Sequence, residues 1–276
     1  MNAPMNVPMD ATHNTPVGRI ETTFRHRRDV EGRKLLVPFI TGGMTDDWTE
    51  CVLAAAASGA DAIEIGIPFS DPIMDGPVIQ AASVRALQGG ATPLSVMAQV
   101  AALDVGVPLV AMTSYNIAYR AGHERYASLL ADNGFAGTIL PDLPPEEAAD
   151  WLQVAGRHSI ETIMLAAPTS SEQRLRTISN LSRGWVYGIG SLGVTGERAS
   201  LAASASVIAS RLKAVTDKPV LIGIGVSNAE QAAEVATIAD GVIVGTALVR
   251  RILDGAGPSG VEAFVGGLRS GLDARR

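Results

Sequence analysis

A single cysteine in 276 residues, Cys51, leaves no partner for an internal disulfide, and the expected compartment is the reducing cytoplasm. Cys51 lies in the apolar run Cys51-Val52-Leu53-Ala54, where packing outweighs reactivity. Cations are in deficit: 22 Lys and Arg against 28 Asp and Glu leave a formal net charge of −6. That balance argues against nucleic acid or an anionic membrane as a partner. No apolar run approaches the roughly eighteen residues of a membrane-spanning helix. Histidine is scarce. His13, His26, His123 and His158 fall in the first residues or on expected helices, which supports neither a histidine-based triad nor a zinc site. No P-loop or EF-hand spacing appears, so the expectation is no metal and no cofactor. Aromatics make up only 4%. Trp48, Trp151 and Trp185 are expected to pack in the interior rather than form a stacking platform.

What the chain does have is glycine, 29 residues of it, and short apolar runs at regular intervals. Strands are expected at 35–41, 61–66, 107–112, 137–140, 161–166, 185–187, 220–223 and 241–244. Helices are expected at 45–58, 78–87, 93–103, 123–133, 145–157, 171–181, 199–216 and 229–238, with further helix to the end. The strands are apolar on both faces, as in a parallel sheet covered by helices. Eight such units in one chain predict an α/β fold, a single-domain (β/α)8 TIM barrel. A doubly wound open sheet is the alternative, but Gly42-Gly43-Met44-Thr45 after the first strand is not the glycine fingerprint of that fold. Residues 1–18 have neither a basic start nor an apolar block, so a disordered tail is expected rather than a secretory signal, with the barrel over 19–276. A short helix is expected at 19–31, with Arg25-His26-Arg27-Arg28 as a solvated face.

Two constellations carry chemistry. In Glu64-Ile65-Gly66-Ile67-Pro68-Phe69-Ser70-Asp71-Pro72-Ile73-Met74-Asp75-Gly76-Pro77, a carboxylate closes a strand and two more ride the loop that follows. Proton transfer often uses two carboxylates held in different environments. A structural reading, with Asp71 capping a turn, Asp75 in an Asp-Gly turn and Glu64 a buried acid, stays open on these residues alone. The second constellation is three late glycine loops: Gly190-Ser191-Leu192-Gly193-Val194-Thr195-Gly196, Gly223-Ile224-Gly225-Val226-Ser227 and Gly245-Thr246-Ala247. Glycines admit close approach of backbone N–H groups to an oxyanion, and a barrel often binds phosphate after strands seven and eight. Tight turns alone would also account for them. Tyr187 is equally open to core packing and to lining a pocket.

These motifs, with Pro38-Phe39-Ile40-Thr41-Gly42 and Pro141-Asp142-Leu143-Pro144, resemble the α subunit of tryptophan synthase from about Arg19 to Gly271. The resemblance implies a barrel that cleaves indole-3-glycerol phosphate to indole and glyceraldehyde 3-phosphate. It also implies a β subunit partner in an α2β2 assembly. It places the catalytic pair on Glu64 and Asp75, the phosphate on Gly196, Gly225, Gly245 and Thr246, and the indole pocket on Phe39, Leu165, Tyr187, Thr195 and Ile224. Three positions depart from the family pattern. Met44-Thr45 replaces an Asp-Pro type pair, Ser114 stands where a pocket tyrosine is frequent, and Thr246 replaces serine. A stand-alone lyase releasing free indole would use the same residues. A non-catalytic activator of a β subunit would not need Glu64 and Asp75.

Overall fold

Eight parallel strands close on themselves in sequence order: β1 (Leu35–Thr41), β2 (Ile63–Gly66), β3 (Leu109–Met112), β4 (Phe135–Ile139), β5 (Glu161–Ala166), β6 (Val186–Ile189), β7 (Val220–Gly223) and β8 (Gly241–Val244). The computed structural model describes residues 17–190, 198–223 and 225–274. Pairing of Leu35 with Gly241 and of Pro38 with Val244 closes the barrel. Glycine is required at the first of these contacts, since a Cβ on Gly241 would sit 2.3 Å from the Leu35 carbonyl oxygen.

Side-chain alternation divides the strands into two faces. Leu35, Val37, Ala62, Val110, Ile163, Trp185, Leu221 and Ile243 form one cluster inside the barrel, joined from below by Ile20 and Phe24. Leu36, Ile40, Ile63, Ile65, Val186, Ile222, Val242 and Val244 face outward to the helices. The outer ring is α2 (Trp48–Ala57), α3 (Pro77–Gln88), α4 (Pro93–Ala101), α5 (Tyr115–Ala121), α6 (His123–Asp132), α7 (Ala149–Arg157), α8 (Glu172–Leu181), α9 (Arg198–Lys213), α10 (Ala229–Val235), α11 (Thr246–Leu253) and α12 (Gly257–Asp273). Trp48, Trp151 and Trp185 are all buried, and so is Cys51, whose thiol burial pushes up to about 12.

Local chemistry explains the boundaries. Pro77 opens α3 and Gly89 caps it. A capping box between Thr92 and Ser95 opens α4. The helix expected from residue 45 begins only at Trp48, because neither Thr45 nor Asp46 caps it. The helix expected over 145–157 starts as a single 3-10 turn, Pro145–Glu147, before α7. Helix α5 was not expected; Ser114 caps it by accepting from the Asn116 N–H at 3.3 Å.

The helix expected over 19–31 is α1 (Arg19–Arg25) followed by a turn of π-helix, His26–Val30. That turn corrects the expected solvated face, because two of its arginines are tied to the barrel floor. Arg27, Arg33 and Arg269 converge on the fully buried Asp61. Arg28 and Lys213 converge on Asp240. Each acid sits just ahead of a strand and also accepts a neighbouring backbone N–H: Asp61 from Leu36 at 2.7 Å, Asp240 from Val220 at 2.8 Å. Glu161, at the start of β5, accepts from the N–H groups of Ile20 and Glu21 at 2.6 and 3.0 Å and so holds α1 beneath the barrel. Polar clamps therefore close the floor, which leaves the opposite end, where the strands finish, free for a site.

Candidate active site

Continuing the inward alternation by one layer reaches the mouth of the barrel. Above Val37 stands Phe39, above Ala62 Glu64, above Ile163 Leu165, and above Trp185 Tyr187. Above Leu221 and Ile243 stand Gly223 and Gly245. Phe39 and Glu64 are register partners across β1 and β2, as are Leu165 and Tyr187 across β5 and β6. Large rings fit because glycines face them. A Cβ on Gly66 would lie 2.4 Å from the Phe39 ring, and one on Gly223 would lie 2.5 Å from the Tyr187 hydroxyl.

Glu64 is 1% exposed, and its Oε1 has no hydrogen-bond partner. Burial without compensation raises its carboxyl to about 8, so at neutral pH it is mainly a protonated acid. Asp75 is held differently. The Thr113 hydroxyl donates to the Ile67 carbonyl at 3.1 Å and pins the chain where it leaves β2. The Asp75 N–H then donates to the Pro72 carbonyl at 3.1 Å, and the Gln80 amide donates to the Asp75 carbonyl at 3.0 Å. The Asp75 backbone is thereby tied to α3, and the residue lines the cavity. Burial raises the Asp75 carboxyl to about 6. The Tyr187 phenol is pushed well above its ordinary value, first by burial and then by repulsion from both Glu64 and Asp75, so the field of both acids reaches one ring. Glu64 as an acid and Asp75 as an anion coexist between about pH 6 and pH 8, the pairing that acid–base chemistry needs.

An open cavity covers this half of the mouth. Its walls include Phe39, Thr41, Gly66, Asp75, Met112 and Ser114. Of the candidates from sequence, Phe39 and Asp75 line it, while Glu64 is sealed one layer below. Leu165 and Tyr187 sit further round the mouth, both partly exposed. On the β7–β8 side, Gly225 has φ +76°, a conformation glycine adopts readily. Gly245 stands at the N-terminus of α11, with Thr246 as its exposed first residue. Thr195, Gly196 and Ile224 lie outside the described residues.

The sequence profile of the tryptophan synthase alpha chain family matches residues 26–262. The tryptophan synthase alpha chain of Streptomyces coelicolor is 46% identical over 255 residues, which cover 88% of this chain and 92% of that protein. That of Geobacter sulfurreducens is 42% identical, over 85% of this chain and 90% of its own length. Among solved structures, tryptophan synthase from Mycobacterium tuberculosis superposes with a TM-score of 0.86 at 38% identity, covering 93% of this chain and 99% of that one. The chain belongs to the tryptophan synthase alpha chain family.

The family departures have structural counterparts. Ser114 does not hang into the cavity as a free wall. Its hydroxyl donates to Asp142 at 2.7 Å, and Asp142 also accepts the Tyr115 N–H at 2.7 Å. Asp142 thus ties the loop after β4 to the start of α5, a role the residues alone did not reveal because its partners lie 27 and 28 positions away. Thr41 was also missed: it is 1% exposed and lines the cavity, and its hydroxyl has no partner. In sequence it looked like the last residue of an apolar strand. Among the described residues no group of three or more His, Cys, Asp or Glu side chains is placed to hold a metal ion. No described helix is long and apolar enough to cross a membrane.

Proposed function

We propose how the residues of this barrel divide the work of its reaction. The chain is a lyase of tryptophan biosynthesis, the α subunit of tryptophan synthase, and cleaves indole-3-glycerol phosphate to indole and glyceraldehyde 3-phosphate. Glu64, in its acid form, protonates indole C3. The carboxylate left behind takes the proton of the hydroxyl on the adjacent side-chain carbon. The bond from C3 to that carbon then breaks, releasing indole and an aldehyde, and Glu64 ends protonated as it began. Asp75 accepts the indole N–H and stabilises the cation that C3 protonation creates. Phe39, Leu165, Tyr187, Thr195 and Ile224 enclose the ring. Gly196, Gly225, Gly245 and Thr246 receive the phosphate through backbone N–H groups, the N-terminus of α11 and one hydroxyl.

The observation that carries this assignment is the pair of raised carboxyls, one sealed on β2 and one on the loop above it, both acting on Tyr187. The same loop points to the β subunit. Beside Asp75 it exposes Ile73 at 85% and Met74 at 54%, apolar surface that a partner would cover. Covering it would bias the loop that carries a catalytic group, and such coupling is typically worth about 5–150-fold. The cytoplasm, where both substrate and partner would be found, is the proposed location.

The test is release of indole from indole-3-glycerol phosphate by the purified chain, with and without a β subunit. Slow turnover alone and acceleration in the complex are expected. Fast turnover indifferent to any β subunit would replace the α subunit reading with a stand-alone lyase. No turnover in either state, with Glu64 and Asp75 intact, would remove the catalytic assignment.

A further inference from the structure

Buried hydroxyls are almost always hydrogen-bonded, so one without a partner needs an explanation. Thr41 is such a case. It ends β1, two residues above Phe39 on the inward face, and is 1% exposed. Its register partner is Gly66 on β2, which has no side chain to meet it. Its Oγ1 finds no acceptor or donor, although a threonine at the end of a strand often bonds a nearby carbonyl. Thr41 lines the same cavity as Asp75. The Asp75 backbone is fixed by Pro72 and Gln80, but among the described residues its carboxylate has no donor. An unpaired donor and an unpaired acceptor thus share the walls of one cavity, and the acceptor sits on the loop that would close over a substrate.

We infer that Thr41 is a positioning residue: its hydroxyl donates to the Asp75 carboxylate when the loop after β2 closes, aiming the second carboxylate oxygen at the indole N–H. This rests on the proposed role of Asp75. The hydroxyl is left without a partner in the open site because its partner arrives with the substrate. Thr41 touches neither C3 nor the hydroxyl that loses its proton, so it acts through Asp75 alone. The bond forms in the closed complex, and its loss therefore falls on kcat more than on KM.

The test is a set of four variants assayed for indole release: Thr41→Val, Thr41→Ser, Asp75→Asn and the double variant Thr41→Val with Asp75→Asn. Valine has nearly the shape of threonine and removes only the hydroxyl. Replacing a buried, unpaired hydroxyl by a methyl group should leave the melting temperature unchanged or raise it. The expected result is a fall in kcat of about tenfold for Thr41→Val with KM within about twofold, matching loss of one hydrogen bond to a charged group. Thr41→Ser should retain most of the activity. In the Asp75→Asn background, Thr41→Val should cost little further, because the group it positions is already gone. Full additivity in the double variant, or equal losses for valine and serine, would overturn the inference and assign Thr41 to packing. A Thr41→Val protein with wild-type kcat would overturn it as well. Should Asp75→Asn itself keep wild-type activity, the role of Asp75 falls first, which separates that failure from failure of the Thr41 assignment.

Discussion

Removing the titrating proton of Glu64 should make the protein inactive and, at neutral pH, more stable. Its carboxyl is raised from an ordinary 4.5 to about 8 by burial alone. The unfolded chain ionises near 4.5, and the folded chain does not until about 8. Between those values the unfolded state binds fewer protons, so stability falls as pH rises. Below pH 4.5 both states are neutral and the penalty vanishes. Linkage puts the penalty near zero at pH 4, at about 3 kcal/mol at pH 7 and at about 4 kcal/mol at pH 8. Glu64→Gln keeps the shape but cannot ionise, so the penalty disappears. The two proteins should melt at similar temperatures at pH 4. At pH 7 the variant should melt higher by roughly 6–12 °C, at about 2–4 °C per kcal/mol for a domain of this size. Other acids titrate over the same range, but they do so in both proteins and cancel in the difference. The assay is thermal unfolding of both proteins at half-unit steps from pH 4 to 8, alongside indole release. Activity should fall at least about 10²-fold. A melting difference that does not change with pH would mean that Glu64 ionises normally, and the account of the site as a sealed acid would fail.

Three further outcomes are expected. Asp75→Asn should lower kcat by about 10²–10³-fold, the range for loss of one electrostatic partner of a developing charge; weakened binding with normal kcat would reduce Asp75 to a substrate holder. Gly245→Ala should raise KM about ten- to a hundredfold for the phosphorylated substrate, while the fold tolerates it, because the new Cβ would lie an ordinary 3.6 Å from the Phe39 Cβ; an unchanged KM would move the phosphate elsewhere. Asp61→Asn should cost about 3–5 kcal/mol in urea unfolding, because Arg27, Arg33 and Arg269 would be left around a neutral amide; a loss below about 1 kcal/mol would show that the arginines find other partners.

The barrel was legible because its pattern repeats: eight short apolar runs, each with a helix after it, survive errors of two or three residues at any one boundary. The place of Glu64 at a strand end and of Asp75 on the loop after it was legible because proline and glycine crowd around them and fix where the strand stops. Other features depend on contacts that cross the chain. Nothing near Arg27 in sequence announces Asp61, 34 residues on, and Arg28 meets Asp240 from 212 residues away. A run of arginines read by composition therefore looked solvated, while the fold uses it to seal the floor. Helix α5 was missed because its start depends on a cap at Ser114 whose hydroxyl is held by Asp142. Thr41 shows the limit most sharply. A threonine closing an apolar strand is an unremarkable letter, and only the absence of a neighbouring hydrogen bond in three dimensions singles it out.

Charge is divided unevenly around the mouth, and the division has a kinetic consequence. Asp71, Asp75 and Asp142 line the β1–β4 side, and among the described residues no Lys or Arg does. The β7–β8 side offers Gly225, Gly245 and the N-terminus of α11. On the proposed placement of the substrate, a phosphate dianion is repelled by the first side and accepted by the second, so the field itself would turn the substrate with its indole N–H toward Asp75. Binding then acts back on Glu64. The incoming dianion adds negative charge near a carboxyl already raised by burial. That charge disfavours ionisation of Glu64. Its carboxyl should therefore titrate higher in the complex than in the free protein, where it stands near 8. The pH dependence of kcat/KM reports the free protein and that of kcat the complex. The alkaline limb of kcat should accordingly lie at higher pH than that of kcat/KM, and the gap should shrink for indole-3-glycerol, which lacks the phosphate. Coincident limbs for the phosphorylated substrate would mean that its charge is not felt at Glu64, and the phosphate would have to be placed farther from β2 than the loops after β7 and β8 allow.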